Sequence, residues 1–204
     1  MKRDALKRFT FAERVLHWVV GVTFVILLLT GLALSYPKLY WLTALVGGGS
    51  VARVLHPWTG VVFTVGLVVM SFMWLKEMWL ARSDLEWLRA IKYYARHERD
   101  RVPPAGKYNG GQKLFFWVQA VLGVVFLVTG VPLWIPGAFG AGFLTVMRLL
   151  HYLAALGGGL LLILHVYLGT VAFPGTARAM LRGTVTGEWA RLHHPLWYEE
   201  QANR

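Results

Sequence analysis

Seven histidines occur in this 204-residue chain, and four of them, His17, His56, His151 and His165, lie inside long apolar segments. A polar, ionisable side chain in hydrocarbon is expensive and marks function far more often than packing. Imidazole nitrogens are the commonest metal ligands in proteins, so the chemistry these residues suggest is metal coordination. His97, His193 and His194 lie in polar segments and are expected at the surface.

The elements that must position the four histidines are apolar runs at 12–36, 53–75, 114–135 and 149–173. Each exceeds the roughly 20 residues needed to span a bilayer. With 56% hydrophobic and 15% charged residues, the expectation is an all-α integral membrane protein, its four transmembrane helices in a bundle. It forms one membrane domain over 1–204, with no internal repeat and no soluble domain. The first run is too long for the apolar core of a cleaved signal and lacks a small-residue cleavage site after it, so it is read as a retained helix. Thr10 with Glu13 predicts a capping box at its start, and Pro37 helps end it. An outer loop with Gly47–Gly49 follows. The polar stretch 76–113 holds an amphipathic pattern over 84–97, a Gly-rich outer turn covers 137–142, and the fourth helix is expected to end at Pro174-Gly175. A basic, aromatic tail occupies 176–204.

The formal net charge is +11, and eighteen of the 21 Lys and Arg residues lie before or at the start of helix 1, between helices 2 and 3, or after helix 4. Only Lys38, Arg53 and Arg148 fall near the other face. Such a bias follows the positive-inside rule and puts both termini in the cytoplasm. It gives the positive charge a membrane origin, with no nucleic-acid partner.

Depth sorts the histidines into pairs. His17 and His165 each lie about 9–12 Å from the cytoplasmic end of their helices at about 1.5 Å per residue. His56 and His151 share the outer depth. His151 and His165 are 14 residues apart, close to four turns, so helix 4 offers one face to both pairs, separated by about 21 Å.

Two patterns favour a large planar metal cofactor over a bare ion. Each histidine has a small residue four positions on, Gly21, Gly60, Ala155 and Gly169, on the same helix face, where a macrocycle needs clearance. Three have an arginine three positions before, Arg14, Arg53 and Arg148, one turn nearer the membrane surface, suited to pairing with propionate carboxylates. Haem iron held by two histidines fits both patterns. The chain has no cysteine, which excludes covalent c-type attachment and iron–sulfur ligation. The expectation is two haems b. A histidine-based metal transporter is the competing reading of another class, and a plain anchor for a soluble partner is a third. Structural zinc prefers four ligands in one cluster, whereas these histidines separate two by two, and no carboxylate lies in mid-helix to relay ions.

Five segments carry a family resemblance: Arg14–Trp18 (RVLHW), Arg53–Pro57 (RVLHP), Lys107–Lys113 (KYNGGQK), His151 with His165, and His193–Tyr198 (HHPLWY). Through them the chain resembles, from end to end, the gamma (cytochrome b) subunit of membrane-bound respiratory formate dehydrogenases. Cytochromes b of NiFe hydrogenases carry similar RxxH ligand patterns, so KYNGGQK and HHPxWY together carry the specificity, and the cytochrome b subunit of a NiFe hydrogenase or another periplasmic oxidoreductase is the alternative reading. The resemblance implies an electron-transfer subunit in a formate:quinone oxidoreductase of higher oligomeric order. A catalytic subunit with a molybdenum or tungsten pterin oxidises formate in the periplasm. An iron–sulfur subunit passes the electrons to the outer haem (His56, His151). The inner haem (His17, His165) reduces menaquinone or ubiquinone near the cytoplasm. It also implies that Asn109, Gly111 and His165 contact quinone, with Tyr108 and Gln112 as neighbours.

Overall fold

The computed structural model describes residues 5–203. Helices α1 (Phe11–Ser35), α2 (Gly49–Trp74), α5 (Gly110–Trp134) and α6 (Ala141–Tyr167) correspond to the four apolar runs. With their short continuations, all four are long and apolar enough to cross a membrane. Val124, Leu156, Leu160 and Ile163 are each more than half exposed. Apolar surface on this scale is stable only against lipid, and the chain is an integral membrane protein.

The helix starts depart from expectation for local reasons. Helix α1 opens on the expected capping box. Thr10 N–H donates to Glu13 Oε2 (2.6 Å) and Glu13 N–H to Thr10 Oγ1 (3.3 Å). Between α1 and α2 the chain runs as a 3-10 helix over Pro37–Val46. Gly47 and Gly48 then take φ of +95° and +100°, values open to glycine, so α2 starts at the third glycine, ahead of its apolar run and next to Ser50, where the helix is expected to begin. Helix α6 starts at Ala141 instead of 149. The carbonyl of Gly140 already accepts from Leu144 N–H (3.1 Å), which leaves Gly142 helical. The amphipathic stretch 84–97 is two helices, α3 (Arg82–Arg89) and α4 (Ile91–Ala95), broken at Ala90. Helix α6 passes into a π turn at Leu168–Ala172 before Pro174.

The described chain forms two compact units. One comprises residues 15–70 and 120–164, the middle stretches of the spanning helices. Its core is Val20, Phe63 and Leu67, packed by Phe24, Leu27, Met70 and Phe126. Gly66 lies under Val20, Gly123 under Leu67 and Gly158 under Phe24. Small residues let membrane helices approach closely without a hydrophobic driving force.

The other unit comprises residues up to 14, 71–119 and from 165 on. It contains a two-residue antiparallel strand pair absent from the sequence reading, β1 (Leu6–Lys7) with β2 (Thr184–Val185). The basic, aromatic tail forms short helices α7 (Arg178–Arg182), α8 (Gly187–His193) and α9 (Pro195–Ala202). At the centre lies Arg8, only 5% exposed. Its guanidinium packs against the rings of Phe9, Tyr108, Trp189 and Trp197 at 5.0–5.7 Å. It donates to the Lys107 carbonyl (2.5 Å) and lies 3.2 Å from His194 Nε2. Among the described residues no carboxylate forms a salt bridge with it; aromatic faces carry the charge instead. Burial brings Arg8 down to about 10, still protonated at neutral pH.

His193 and His194 are not surface residues: they are 7% and 1% exposed. A polar, basic tail suggests solvent, but the aromatic residues of that tail fold over them. His194 Nδ1–H donates to the Gly106 carbonyl (2.7 Å), so Nε2 accepts from Arg8. His97 is exposed as expected. Burial, then the Arg8 cation, holds the His194 imidazole well below its usual range. An unfolded histidine titrates near about 6.5. Below that pH the unfolded chain binds a proton that folded His194 refuses, so stability falls as pH falls. Backbone exchange at 105–108 and 187–202, corrected for intrinsic rates, is therefore expected to rise between about pH 7 and about pH 5.5. Substitution His194→Asn, which keeps a donor for Gly106, should flatten this acid dependence. Equal acid sensitivity in both proteins would assign it to other groups.

Candidate functional site

In the unit built from 15–70 and 120–164, His56 on α2 and His151 on α6 face each other. Their ring centroids lie 6.3 Å apart, with ring planes at 65°. A histidine nitrogen sits about 2 Å from a bound transition metal, and the ring centre roughly 1 Å beyond it. Two imidazoles on opposite sides of a single ion therefore have centres roughly 6 Å apart.

The far nitrogens are spoken for. Thr30 Oγ1 on α1 lies 2.8 Å from His56 Nδ1, and its hydroxyl donates to the Ile26 carbonyl (2.7 Å). Thr129 Oγ1 on α5 lies 2.8 Å from His151 Nδ1 and donates to the Val125 carbonyl (2.6 Å). A hydroxyl has one hydrogen. With that hydrogen on the backbone, each threonine oxygen accepts from an Nδ1–H. Both rings are thus the Nδ1–H tautomer, with the Nε2 lone pair left for a metal.

Among the described residues no group of three or more metal-ligating side chains gathers. The pair offers an ion two axial ligands and nothing equatorial. This donor set suits an iron that arrives within its own four-nitrogen ring, as in haem, better than a bare ion. The small residues agree. An added Cβ would meet no atom within 4 Å at Gly21 or Gly169, and only Leu27 at 3.9 Å at Gly60. Protein packing therefore does not require these glycines, unlike Gly66 and Gly158. Ala155 is half-buried on the face of His151. Arg53 and Arg148 are exposed, and among the described residues neither forms an ion pair. Arg14 lies in the other unit and donates to the carbonyls of Met180 (3.0 Å) and Leu181. His17 lies half-buried on α1, edge-on to Trp18.

The unit with the chain ends holds the remaining candidates. Asn109 and Gln112 form a reciprocal cap on α5. Gln112 N–H donates to Asn109 Oδ1 (2.9 Å), and Asn109 N–H to Gln112 Oε1 (3.1 Å). This cap pulls α5 back to Gly110 from the expected 114. A Cβ at Gly110 would strike the Asp84 carbonyl, and one at Gly111 would lie 3.0 Å from Trp87, so this glycine pair also seats α5 on α3. Phe115, one turn after Gly111, stacks on the ring of His165 with centroids 4.9 Å apart. The first turns of α5 thus gather beside His165. Tyr108 is 8% exposed, and burial pushes its hydroxyl pKa up. It lines a cavity of about 270 Å³ together with Glu77, Asp84, Lys107 and Lys113.

Sequence reasoning missed Thr30, Thr129 and Phe115. A signal for the threonines was present. Thr-Gly occurs at Thr30-Gly31 and again at Thr129-Gly130, each on the helix before an Arg-x-x-His. The chain was read as free of repeats because the spacing differs, 26 residues in one half and 22 in the other.

The family model described as prokaryotic cytochrome b561 matches residues 8–183. The cytochrome b556(fdo) subunit of formate dehydrogenase from Escherichia coli K12 is 35% identical over 202 residues, 98% of this chain and 94% of its own length. The nitrate-inducible cytochrome b556(Fdn) subunit from the same strain is 33% identical over 203 residues, covering 98% and 93%. The formate dehydrogenase cytochrome b556 subunit of Haemophilus influenzae is 30% identical over 191 residues, covering 92% and 80%. The chain therefore belongs to the prokaryotic cytochrome b561 family, among the formate dehydrogenase cytochrome b556 subunits.

Proposed function

We propose that this chain is the membrane electron-transfer subunit of a formate dehydrogenase, holding two haems b and reducing quinone. The observation that carries the proposal is the pair His56 and His151, 6.3 Å apart, each with Nδ1 engaged by a threonine. His17 and His165 form the second, inner pair by their matched depth in the sequence. Bound at the two pairs, haem supplies reversible one-electron transfer between a periplasmic iron–sulfur subunit, served by a molybdenum or tungsten pterin subunit, and quinone.

The whole chain acts as one dihaem domain in the bacterial inner membrane, termini in the cytoplasm, in keeping with the placement of its basic residues. Arg53 and Arg148, with no ion pair of their own among the described residues, hold the outer propionates. Arg14, its guanidinium fixed by two carbonyls, does the same for the inner haem. Gly21, Gly60, Ala155 and Gly169 give the macrocycles clearance.

Quinone binds beside His165. The Oδ1 of Asn109 is committed to the cap, and its Nδ2 donates to a quinone carbonyl. Gly111 lets the ring approach the α5 backbone, and Tyr108 and Gln112 close the edge. Protons reach the ring from the cytoplasm past the polar cavity beside Tyr108, and none has to cross the membrane.

Two experiments test this reading. The purified complex should show b-type bands in a reduced-minus-oxidised spectrum, with two haems per copy of this chain. Substitution His56→Ala should remove one haem and leave the other; a wild-type chain without such bands overturns the proposal. Replacing Asn109 by Asp keeps a cap oxygen but removes the amide donor. A lost hydrogen bond of about 0.5–1.5 kcal/mol predicts a roughly 2- to 10-fold rise in quinone KM, with both haems retained. An unchanged KM removes Asn109 from the quinone site.

A further inference from the structure

We infer that Thr30-Gly31 and Thr129-Gly130 are positioning residues that set the ring planes and donor strength of His56 and His151, and through them the reduction potential of the outer site. The inference rests on the haem reading above.

Neither threonine is on a helix that carries an outer-site ligand. The ligands come from α2 and α6, their partners from α1 and α5, so each imidazole is gripped from a neighbouring helix. Both threonines are buried, at 3% and 2% exposure. Each hydroxyl is aimed by its bond to the carbonyl four residues back. That bond fixes where the oxygen lone pairs point. It also polarises the oxygen, which accepts the Nδ1–H more strongly for having donated its own hydrogen.

The following glycine completes the grip. A Cβ at Gly31 would lie 3.2 Å from His56 Cε1, and one at Gly130 would lie 3.4 Å from His151 Cε1. Cε1 is bonded to both ring nitrogens. A larger residue would press on the ring and turn it about its own axis, moving Nδ1 off the threonine and Nε2 off the metal direction. Threonine thus holds the ring by attraction and glycine by clearance, and the same dipeptide does both jobs on both sides.

A hydrogen bond from Nδ1–H raises the basicity of the metal-bound nitrogen. A more basic ligand favours the oxidised iron, which carries one more positive charge, so each threonine lowers the potential of the outer site. Removing either hydroxyl should raise it.

The test uses the whole complex with Thr30→Val, Thr129→Val, the double variant, and Thr30→Ser. Valine keeps the shape of threonine and removes the hydroxyl. Redox titration followed in the visible spectrum should show one of the two haem steps moving to higher potential in each Val variant, further in the double variant, while the other step stays in place. The low-spin electron paramagnetic resonance signal of the same haem should shift as its ligand planes leave their 65° arrangement. Thr30→Ser should restore both readouts. If a Val variant loses one haem and Thr30→Ser regains it, the positioning role also stands. An unchanged potential and resonance in the double variant overturns the inference, as does haem loss that serine fails to repair. Retention of both haems in His56→Ala would instead remove the outer site itself.

Discussion

A histidine inside hydrocarbon must satisfy two ring nitrogens where no water can do it. That constraint shapes the unit around His56 and His151. One nitrogen of each ring is satisfied by a threonine from the next helix. The threonine spends its hydrogen on its own helix, which is the way a hydroxyl is accommodated in a spanning segment. The other nitrogen is then left with a lone pair, in a ring whose centre lies 6.3 Å from the opposite one. Four helices meet at this arrangement because each ring draws a residue from two of them. The glycines beside the threonines, and those under Val20 and Phe24, allow the approach that these bonds of 2.8 Å demand.

The unit with the chain ends meets a related constraint differently. Among the described residues no carboxylate forms an ion pair with the buried Arg8 cation, a costly arrangement unless the remaining groups compensate. Four aromatic rings and two acceptors do so, and one acceptor, His194, is itself held as a neutral ring by the Gly106 carbonyl. The two contacts fix the carbonyls of Gly106 and Lys107, immediately before the Tyr108–Gln112 stretch proposed to meet quinone. The chain ends, which look dispensable in a membrane protein, thus hold the approach to that stretch.

Much of this was legible in the sequence because it is local. Apolar length marks four spans, Thr10 with Glu13 marks a cap, and the shared depth of His56 and His151 marks the pair whose rings lie 6.3 Å apart. What was not legible depends on distant partners. The burial of His194 needs Arg8 and the 105–108 loop, and that of His193 needs Tyr94 and Phe173, all distant in the chain. The early starts of α5 and α6 come from glycines that turn chemistry assigns to loops, while Asn109 and Gly140 make them helical. The π turn at Leu168–Ala172 has no sequence signal. Thr30 and Thr129 were overlooked because a threonine in a spanning helix usually bonds only its own backbone, and theirs do that too.

The glycines show why composition alone could not separate scaffold from site. Twenty-two of them are spread through the chain, and as letters they are equivalent. Their surroundings divide them. At Gly66, Gly123 and Gly158 a Cβ would press on a neighbouring side chain, so helix packing accounts for them. At Gly31 it would press on the His56 imidazole, and at Gly130 it would just touch that of His151, so both glycines border a ring. At Gly21 and Gly169 it would press on nothing within 4 Å. A glycine with no packing reason weakens its helix by about 1 kcal/mol relative to alanine. Gly157 on α6 shares that open space, so what sets Gly21 and Gly169 apart is their place one turn from His17 and His165, where a macrocycle is proposed.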